Sequence, residues 1–305
     1  MAAFPDVDAT KQDSVTEDQA QFFRENGLLV IRNVLRGDEL KAMQEQTLPL
    51  VKRAMTEKPQ EPDYAYKKHE LTGEMVPFRV EYVIDKTTAG KALLGHPFIL
   101  RSVEKIQGRN FIPTWDSMVF KQEGAGAAIP WHRDAGTGNG ADRSHIFNVD
   151  FYLDGSDMSN CLWGILGSNR WTSEKADETI KRLNNAPGSF STDPQCVPIL
   201  MKPGDVIFHN ILVLHGSPAA QSKLRRVVYY EFRPGEIERE LGPHKPEYIP
   251  LKQKLLLACL KARAGAAYAR DEKAFTYSPS ADFAPPAEGE KLQTYRFPHE
   301  KFWRG

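Results

Sequence analysis

Apolar and polar positions divide the chain into a mixed opening, a strand-rich middle and a mixed tail. Residues 1–15 are polar and are expected to fray. Thr16, Glu17, Asp18 and Gln19 then read as a capping box, in which Thr16 and Gln19 satisfy free amides at a helix start. Ala20, Phe22 and Phe23 give that helix an apolar side, and Asn26-Gly27 ends it in a left-handed stop. Leu28, Leu29, Val30 and Ile31 follow as a compact apolar strand. A second helix is expected from about Asp38, with Leu40, Met43, Leu48 and Val51 at helical spacing and Pro49 weakening its last turn.

From Pro77 the period shortens towards two. Val80, Tyr82 and Ile84 alternate with Glu81 and Val83, which predicts a strand, and Met118, Val119 and Phe120 predict another. The clearest strand runs from Ile146 to Leu153. There Phe147, Val149, Phe151 and Leu153 share one face, and Asn148, Asp150 and Tyr152 share the other. A helix is expected near residues 175–183. Lys202-Pro203-Gly204-Asp205 is then a turn opening the strand from Val206 to His209. Leu224 to Phe232 is a further strand. Many short strands joined by turns point to an all-β sandwich or barrel with helices packed outside. The tail offers one helical stretch around residues 251–264 and then a Pro-rich irregular end. No repeat of a fixed period is present.

Composition narrows the class. A chain of 305 residues, 41% hydrophobic, is long enough to bury a large core without disulfides or structural metals. We read it as a single domain over 1–305, with a core of about 16–233 and residues 234–305 as an extension packing on that core. Forty basic residues balance forty acidic ones, which argues against nucleic-acid binding. No apolar run is long enough to span a membrane, and the acidic opening segment is unlike a secretory signal. Three widely spaced cysteines fit a reducing, cytoplasmic setting rather than a disulfide framework.

Candidate chemistry concentrates in Ile129-Pro130-Trp131-His132-Arg133-Asp134. His132 and Asp134 sit two apart, so on a strand both point to one face. An imidazole and a carboxylate together suit a divalent first-row metal, and a third ligand must come from elsewhere. His215, at a strand end before Gly216-Ser217, is the best candidate. His209, inside the strand, is the rival and reads better as a structural histidine. Two histidines and one carboxylate form the facial triad of non-haem Fe(II) oxygenases. A chance HxD on an ordinary strand is the competing reading. Of the other histidines, His145 is expected to face solvent, and His69, His96, His244 and His299 have no evident partner in the sequence. On the next strand-like run, Arg225 and Arg226 open a second element. An arginine buried near a metal needs an anion, and its planar fork matches a carboxylate. A surface Arg pair at a strand start is the alternative.

These segments together resemble the phytanoyl-CoA dioxygenase-like branch of the Fe(II)/2-oxoglutarate oxygenases. The opening helix, Asn-Gly and apolar strand of residues 16–34 are similar to that family's first module. Phe120-Lys121-Gln122-Glu123-Gly124 leading to Trp131-His132-Arg133-Asp134 resembles its first ligand segment. Residues 160–169 resemble its central loop, and Lys202-Pro203-Gly204-Asp205, His215-Gly216-Ser217 and Leu224-Arg225-Arg226 its last segments. Departures lie in the central loop, where Leu166-Gly167-Ser168-Asn169 replaces the usual Pro-Gly-Ser-His and Asn160-Cys161 the usual Asn-Gly.

The resemblance implies an all-β core of double-stranded β-helix (jelly-roll, cupin-like) type with flanking α-helices. It implies His132, Asp134 and His215 as ligands of Fe(II) and Arg225 as partner of the distal carboxylate of 2-oxoglutarate. Arg226 takes that role if the strand register is one residue off. Ser168 is a further candidate hydrogen-bond partner of the cosubstrate. It also implies dioxygen as oxidant and oxidation of a C–H bond. Asp134 favours hydroxylation or a related oxidation over halogenation.

We expect a small, mostly apolar metabolite of specialised metabolism as substrate, and a homodimer is left open. A fatty acyl-CoA 2-hydroxylase, a peptide hydroxylase and a catalytically silent jelly-roll binder are the alternatives. Phe302-Trp303-Arg304-Gly305 does not match the Ser-Lys-Leu peroxisomal address. Tyr64, Tyr66, Phe78 and Tyr82 are candidates either to cover the active-site mouth or to form a satellite hydrophobic cluster.

Overall fold

The computed structural model of the protein describes residues 4–70, 72–134, 145–220 and 223–284. His299 and the closing Phe302, Trp303, Arg304 and Gly305 lie outside the described residues. Residues 4–15 do not fray. Val7 and Val15 are fully buried, and the backbone of Ala9 and Val7 pairs with Arg32, because two apolar side chains suffice to hold a short polar segment down.

Helix α1 (Glu17–Asn26) starts on the expected capping box and stops at Gly27, whose φ of 75° is the left-handed stop. It feeds β1 (Leu28–Ile31), buried throughout. Helix α2 (Gly37–Thr56) runs on through Pro49, whose ring faces out, and it buries Met43, Thr47 and Val51. Strands β2 (Tyr64–Lys68) and β3 (Met75–Glu81) form a hairpin. The strand expected to reach Ile84 ends earlier. Tyr82 turns left-handed (φ 57°), and α3 (Val83–Lys86) begins, because Asp116 accepts from the Tyr82 amide through its carbonyl (3.1 Å) and from the Ile84 amide through its carboxylate (3.1 Å). The apparent alternation there is helical burial of Val83 and Ile84. Helices α4 (Thr88–Leu94) and α5 (Pro97–Gln107) follow.

The middle of the chain supplies β4 (Phe111–Lys121), β5 (Ile129–His132), β6 (Phe147–Tyr152) and β7 (Leu162–Gly164). Helices α6 (Ser173–Asn185) and α7 (Ser189–Thr192) precede β8 (Val197–Ile199), β9 (Val206–Asn210), β10 (His215–Ser217) and β11 (Arg225–Pro234). The described chain closes with α8 (Gly235–Leu241) and α9 (Tyr248–Ala264).

Two sheets face each other. The major one has the order β1-β9-β6-β11-β4-β3-β2, and the minor one β5-β10-β7-β8. All pairings within them are antiparallel. This is the jelly-roll core of the sequence reading, with helices on its flanks. Alternation sorts the major sheet's side chains between its faces. Phe147, Val149, Phe151, Phe208, Val228, Tyr230 and Phe232 point outward into a large core shared with α2, α4, α5 and α9. Leu28, Val30, Tyr152, Ile207 and Val227 point inward and form a second, smaller core with the minor sheet. Asn148 and Asp150 share that inner face, so the polar row of β6 lines the space between the sheets. In the C-terminal extension, Leu255, Leu256 and Cys259 of α9 join the large outer core.

Candidate metal centre and cosubstrate pocket

Strand β5 delivers His132 inward because its neighbour turns outward. Trp131 is buried against Phe190, ring centroids 4.9 Å apart, and both backbone polar groups of Trp131 bond the Asn184 side chain of α6 at 2.9 Å. Arg133 likewise points away, donating to the carbonyls of Ser168 (2.8 Å) and Trp171 (3.3 Å). Asp134 returns to the inner side, with its amide held by the Ile211 carbonyl at 3.0 Å. His215 opens β10 directly opposite His132 in the register, with ring centroids 4.1 Å apart. Ligand atoms of His132, Asp134 and His215 all lie within 4.8 Å of one another.

Hydrogen bonding fixes which imidazole nitrogens are free. His132 Nδ1 lies 2.8 Å from the Pro130 carbonyl, and His215 Nδ1 lies 3.1 Å from that of Val213. A carbonyl only accepts, so each Nδ1 carries a proton, and Nε2 is left as the atom of each ring that can face a metal. Those two Nε2 atoms converge on Asp134 Oδ1 at 3.3 and 3.8 Å. Burial disfavours the ionised Asp134 carboxyl, but the surrounding imidazoles of His215, His132 and His209 outweigh that and hold it well below its usual range. Burial, with His132 and His209 adding to it, pushes the His215 imidazole well below its usual value, so it stands neutral. Two imidazoles and one carboxylate on one side of a small gap fit a divalent first-row ion.

His209 sits behind this cluster rather than in it. Its Nε2 is 3.2 Å from His215 Nδ1, and its Nδ1 is 3.3 Å from Asp150 Oδ2. This Asp150–His209–His215 chain orients His215 from behind, as outer-shell partners of metal ligands do. Asn148 does the same for Asp134, donating to Oδ2 at 3.0 Å. Sequence reading found the polar row of β6 but not this purpose, which the cross-strand register alone reveals.

The two arginines separate by face. Arg226 points outward, forks onto Asp154 with two bonds of 2.8 Å, and donates to the Gln44 carbonyl and the Thr47 hydroxyl. Its charge is satisfied within the chain, which removes it as a cosubstrate partner. Arg225 points inward and is 3% exposed; it donates to the Asn160 carbonyl, lies 3.5 Å from Ser217 Oγ, and its buried Nε has no partner. Lys121 pairs with it in register and is equally buried, bonding only the carbonyls of Ala127 (2.6 Å) and Pro218 (2.8 Å). Neither cation has a carboxylate partner within 4.0 Å among the described residues. Burial, reinforced by Arg225, pushes the Lys121 ammonium down to about 6. The buried, uncompensated Arg225 guanidinium, with the Lys121 amine beside it, fits the distal carboxylate of a dicarboxylic acid. In the sequence Lys121 is one residue of the Phe120–Gly124 stretch with no signal of its own; its burial is what marks it.

Ser168 does not reach this pocket. Its fully buried hydroxyl donates to the Ile165 carbonyl at 2.6 Å and accepts from the Leu214 amide at 2.8 Å, so it braces the turn just before His215. Burial pushes the Cys161 thiol, at the other departure of the central loop, up to about 11, which makes it an inert packing group. His145 is exposed, as expected. His244 pairs with Glu238 at 2.7 Å and stacks on Tyr248. Glu39, His96 and Glu272 form a second close cluster, but Arg263 forks onto both carboxylates and already supplies the countercharge.

Tyr64 and Tyr66 turn to the outer face, where Tyr64 accepts from Arg53 and Tyr66 donates to the Ala54 carbonyl on α2. They belong to the hydrophobic cluster, not to the mouth. Tyr82 packs near Trp115, ring centroids 6.2 Å apart, and Phe78 lies beside the Arg79 guanidinium, 5.7 Å from its ring centroid.

Residues 23–228 match the family model described as phytanoyl-CoA dioxygenase. Solved structures with the same fold include EvdMO1, at 27% identity and a TM-score of 0.58 over 71% of this chain and 49% of that one. The match thus spans about half of EvdMO1. AviO1 from Streptomyces viridochromogenes Tue57 aligns at 22% identity and the same TM-score, over 71% of this chain and 94% of its own. EctD from S. alaskensis, holding 2-oxoglutarate and 5-hydroxyectoine, aligns at 16% identity with a TM-score of 0.58, over 73% and 77%. No curated protein sequence matches the chain.

Proposed function

The chain belongs to the phytanoyl-CoA dioxygenase family of Fe(II)/2-oxoglutarate-dependent oxygenases, which use dioxygen as oxidant, and from that premise we propose that it oxidises a C–H bond of a small metabolite. His132, Asp134 and His215 hold the iron, and Arg225, with Lys121 beside it, binds the distal carboxylate of 2-oxoglutarate. The observation that carries this reading is the convergence of two Nε2 atoms on Asp134 Oδ1 at 3.3 and 3.8 Å, with each Nδ1 committed to a backbone carbonyl.

Fe(II) and 2-oxoglutarate, held by His132, Asp134, His215 and Arg225, would supply the oxidising power. The chain's own residues supply placement. Asp150 and His209 keep the His215 tautomer, Asn148 keeps the Asp134 carboxylate turned inward, and Asn184 clamps the strand that carries His132. The inner apolar cluster of Leu28, Val30, Ile207 and Val227 fills part of the space between the sheets. A role in specialised metabolism follows the breadth of the family rather than any one side chain. A small-molecule substrate agrees with EctD, whose structure holds 5-hydroxyectoine.

Anaerobic addition of Fe(II) and 2-oxoglutarate is expected to give the weak visible charge-transfer band of the chelate, and His132→Ala is expected to abolish it. A band that is missing from the native protein, or unchanged in the variant, sinks the iron centre.

A further inference from the structure

Two segments of chain close over the Lys121 side chain. Its nitrogen donates to the Ala127 carbonyl (2.6 Å), just before β5, and to the Pro218 carbonyl (2.8 Å), just after β10. Gly126 and Ala220 tie these segments together through a pair of backbone bonds of 2.8 Å. Gly126 lies directly on the lysine stem, where a Cβ would come within 2.7 Å of Lys121 Cβ. The nitrogen is thus held at one place beside Arg225, the cross-strand neighbour of Lys121.

The Ala127 carbonyl is itself held from outside the pocket, by the β2–β3 hairpin. The Ala128 amide donates to Glu70 Oε2 at 3.0 Å, and Lys67 donates to the Ala128 carbonyl. Both backbone polar groups of Ala128 are therefore gripped by hairpin side chains. Lys67 and Glu70 also pair with each other at 3.7 Å. Backbone bonds from His69 to Glu74 (2.8 Å) and from Gly73 to His69 (2.9 Å) fix the turn that carries Glu70. Burial disfavours the ionised Glu70 carboxyl, but the Ala128 amide, with the Glu70 amide, outweighs that and holds it below its usual range. The Ala127 carbonyl and the Ala128 N–H belong to one planar trans peptide, so they point in opposite directions. Glu70 on one edge of this unit sets the direction of the carbonyl that meets Lys121 on the other. Its ion-pair partner is Lys67 rather than Lys121, so its reach to Lys121 runs through the peptide.

Building on the reading of Arg225 and Lys121 above, we propose that Glu70, with Lys67, is a positioning residue for 2-oxoglutarate: through the 127–128 peptide it holds the Lys121 nitrogen beside Arg225, where the distal carboxylate docks. A carboxylate seated on Arg225 favours the charged form of Lys121 and accepts the third N–H, which neither carbonyl takes. Without Glu70 the peptide is free to turn. The Ala127 carbonyl then leaves the nitrogen, and the long lysine stem regains rotamers that docking must freeze again. The effect is confined to the distal end of the cosubstrate. A 2-oxo acid lacking the second carboxylate has nothing for Lys121 to meet.

Anaerobic protein loaded with Fe(II) is titrated with 2-oxoglutarate and, separately, with 2-oxobutyrate, and the visible chelate band gives each dissociation constant. Glu70→Ala is expected to weaken 2-oxoglutarate about tenfold and to leave 2-oxobutyrate within about twofold of native. Glu70→Gln keeps an oxygen for the Ala128 amide and is expected to restore most of the affinity. Lys67→Met releases Ala128 from its other side and is held to the same outcomes as Glu70→Ala, should that variant fail to fold. In a Lys121→Met background, Glu70→Ala is expected to add nothing, because both act on one contact. Unchanged affinity for 2-oxoglutarate, equal weakening of both acids, or full additivity with Lys121→Met overturns the proposal. Equal weakening would place the effect on β5 and the metal ligands instead. A band missing from the native protein overturns the iron centre together with this proposal, whereas a normal native band with any of those three results overturns this proposal alone.

Discussion

Arg225 and Arg226 are adjacent in sequence and opposite in duty. On a strand, neighbours face opposite sides, so one register step decides which guanidinium meets the cosubstrate. Asp154 takes Arg226, and Arg225 is left with an unpartnered Nε between the sheets. Arg225→Gln is expected to raise the KM for 2-oxoglutarate on the order of 100-fold, since truncating one partner of a buried charge pair costs a few kcal/mol. Arg226→Gln is expected to leave that KM nearly unchanged and to lower unfolding stability by about 2–3 kcal/mol, because Asp154 loses its fork. Steady-state kinetics and denaturant titration of the two variants check this, and a reversed pattern would exchange their roles. The residue types of the site were legible in the sequence: HxD, a later histidine at a strand end, and an arginine pair. Which arginine, and that Ser168 braces Leu214 rather than the cosubstrate, depended on partners distant in sequence.

At the scale of elements, local signals and long-range contacts differ in reach. Helix α1 follows from its own residues: a capping box at one end and Gly27 at the other. Gly27 has a tertiary reason as well, because a Cβ there would lie 2.9 Å from the Asn169 side chain, which itself bonds the Arg24 carbonyl. The strand expected over Val80, Tyr82 and Ile84 failed past Glu81 because Asp116, on β4, captures the Tyr82 and Ile84 amides. The turn before β9 was read correctly, and its strictness is tertiary. Gly204 has φ +90°, and a Cβ would sit 2.1 Å from the Leu35 carbonyl oxygen, while the Gly204 carbonyl accepts from the Val34 and Leu35 amides. Gly204→Ala is therefore expected to cost about 3 kcal/mol or more in denaturant unfolding, through strained backbone and a clash with main chain that cannot rotate away. A loss below about 1 kcal/mol would mean that the loop yields.

At the scale of the molecule, the fold buries Lys121 beside Arg225, with no carboxylate within 4.0 Å of either among the described residues. Lys121 titrates at about 6 in the fold, against 10.5 for a free lysine, because burial and Arg225 both oppose its charge. Between those values the unfolded chain holds a proton that the folded chain lacks, so stability rises with pH across that window. Lys121→Met is expected to flatten this rise between about pH 6.5 and 8.5, read from denaturant midpoints at several pH values. An unaltered slope would mean that Lys121 stays charged in the fold.

Taken by itself, the sequence determined a sandwich or barrel of short strands, the helix starts and stops, and the His132–Asp134 pair, each encoded locally by alternation, capping chemistry or two-residue spacing; the family resemblance added the jelly-roll class and His215, which the structure gathers with the pair within 4.8 Å. Tertiary structure decided the rest: the face taken by each arginine, the outward packing of Tyr64 and Tyr66, the burial of Lys121 and the pairing of Glu81 with Arg79 and Trp115. Those outcomes depend on cross-strand register, which pairs residues such as Glu81 with Ser117 and Arg225 with Lys121 across long stretches of chain. Periodicity tells a strand which side chains share a face; only the neighbouring strands tell it what that face meets.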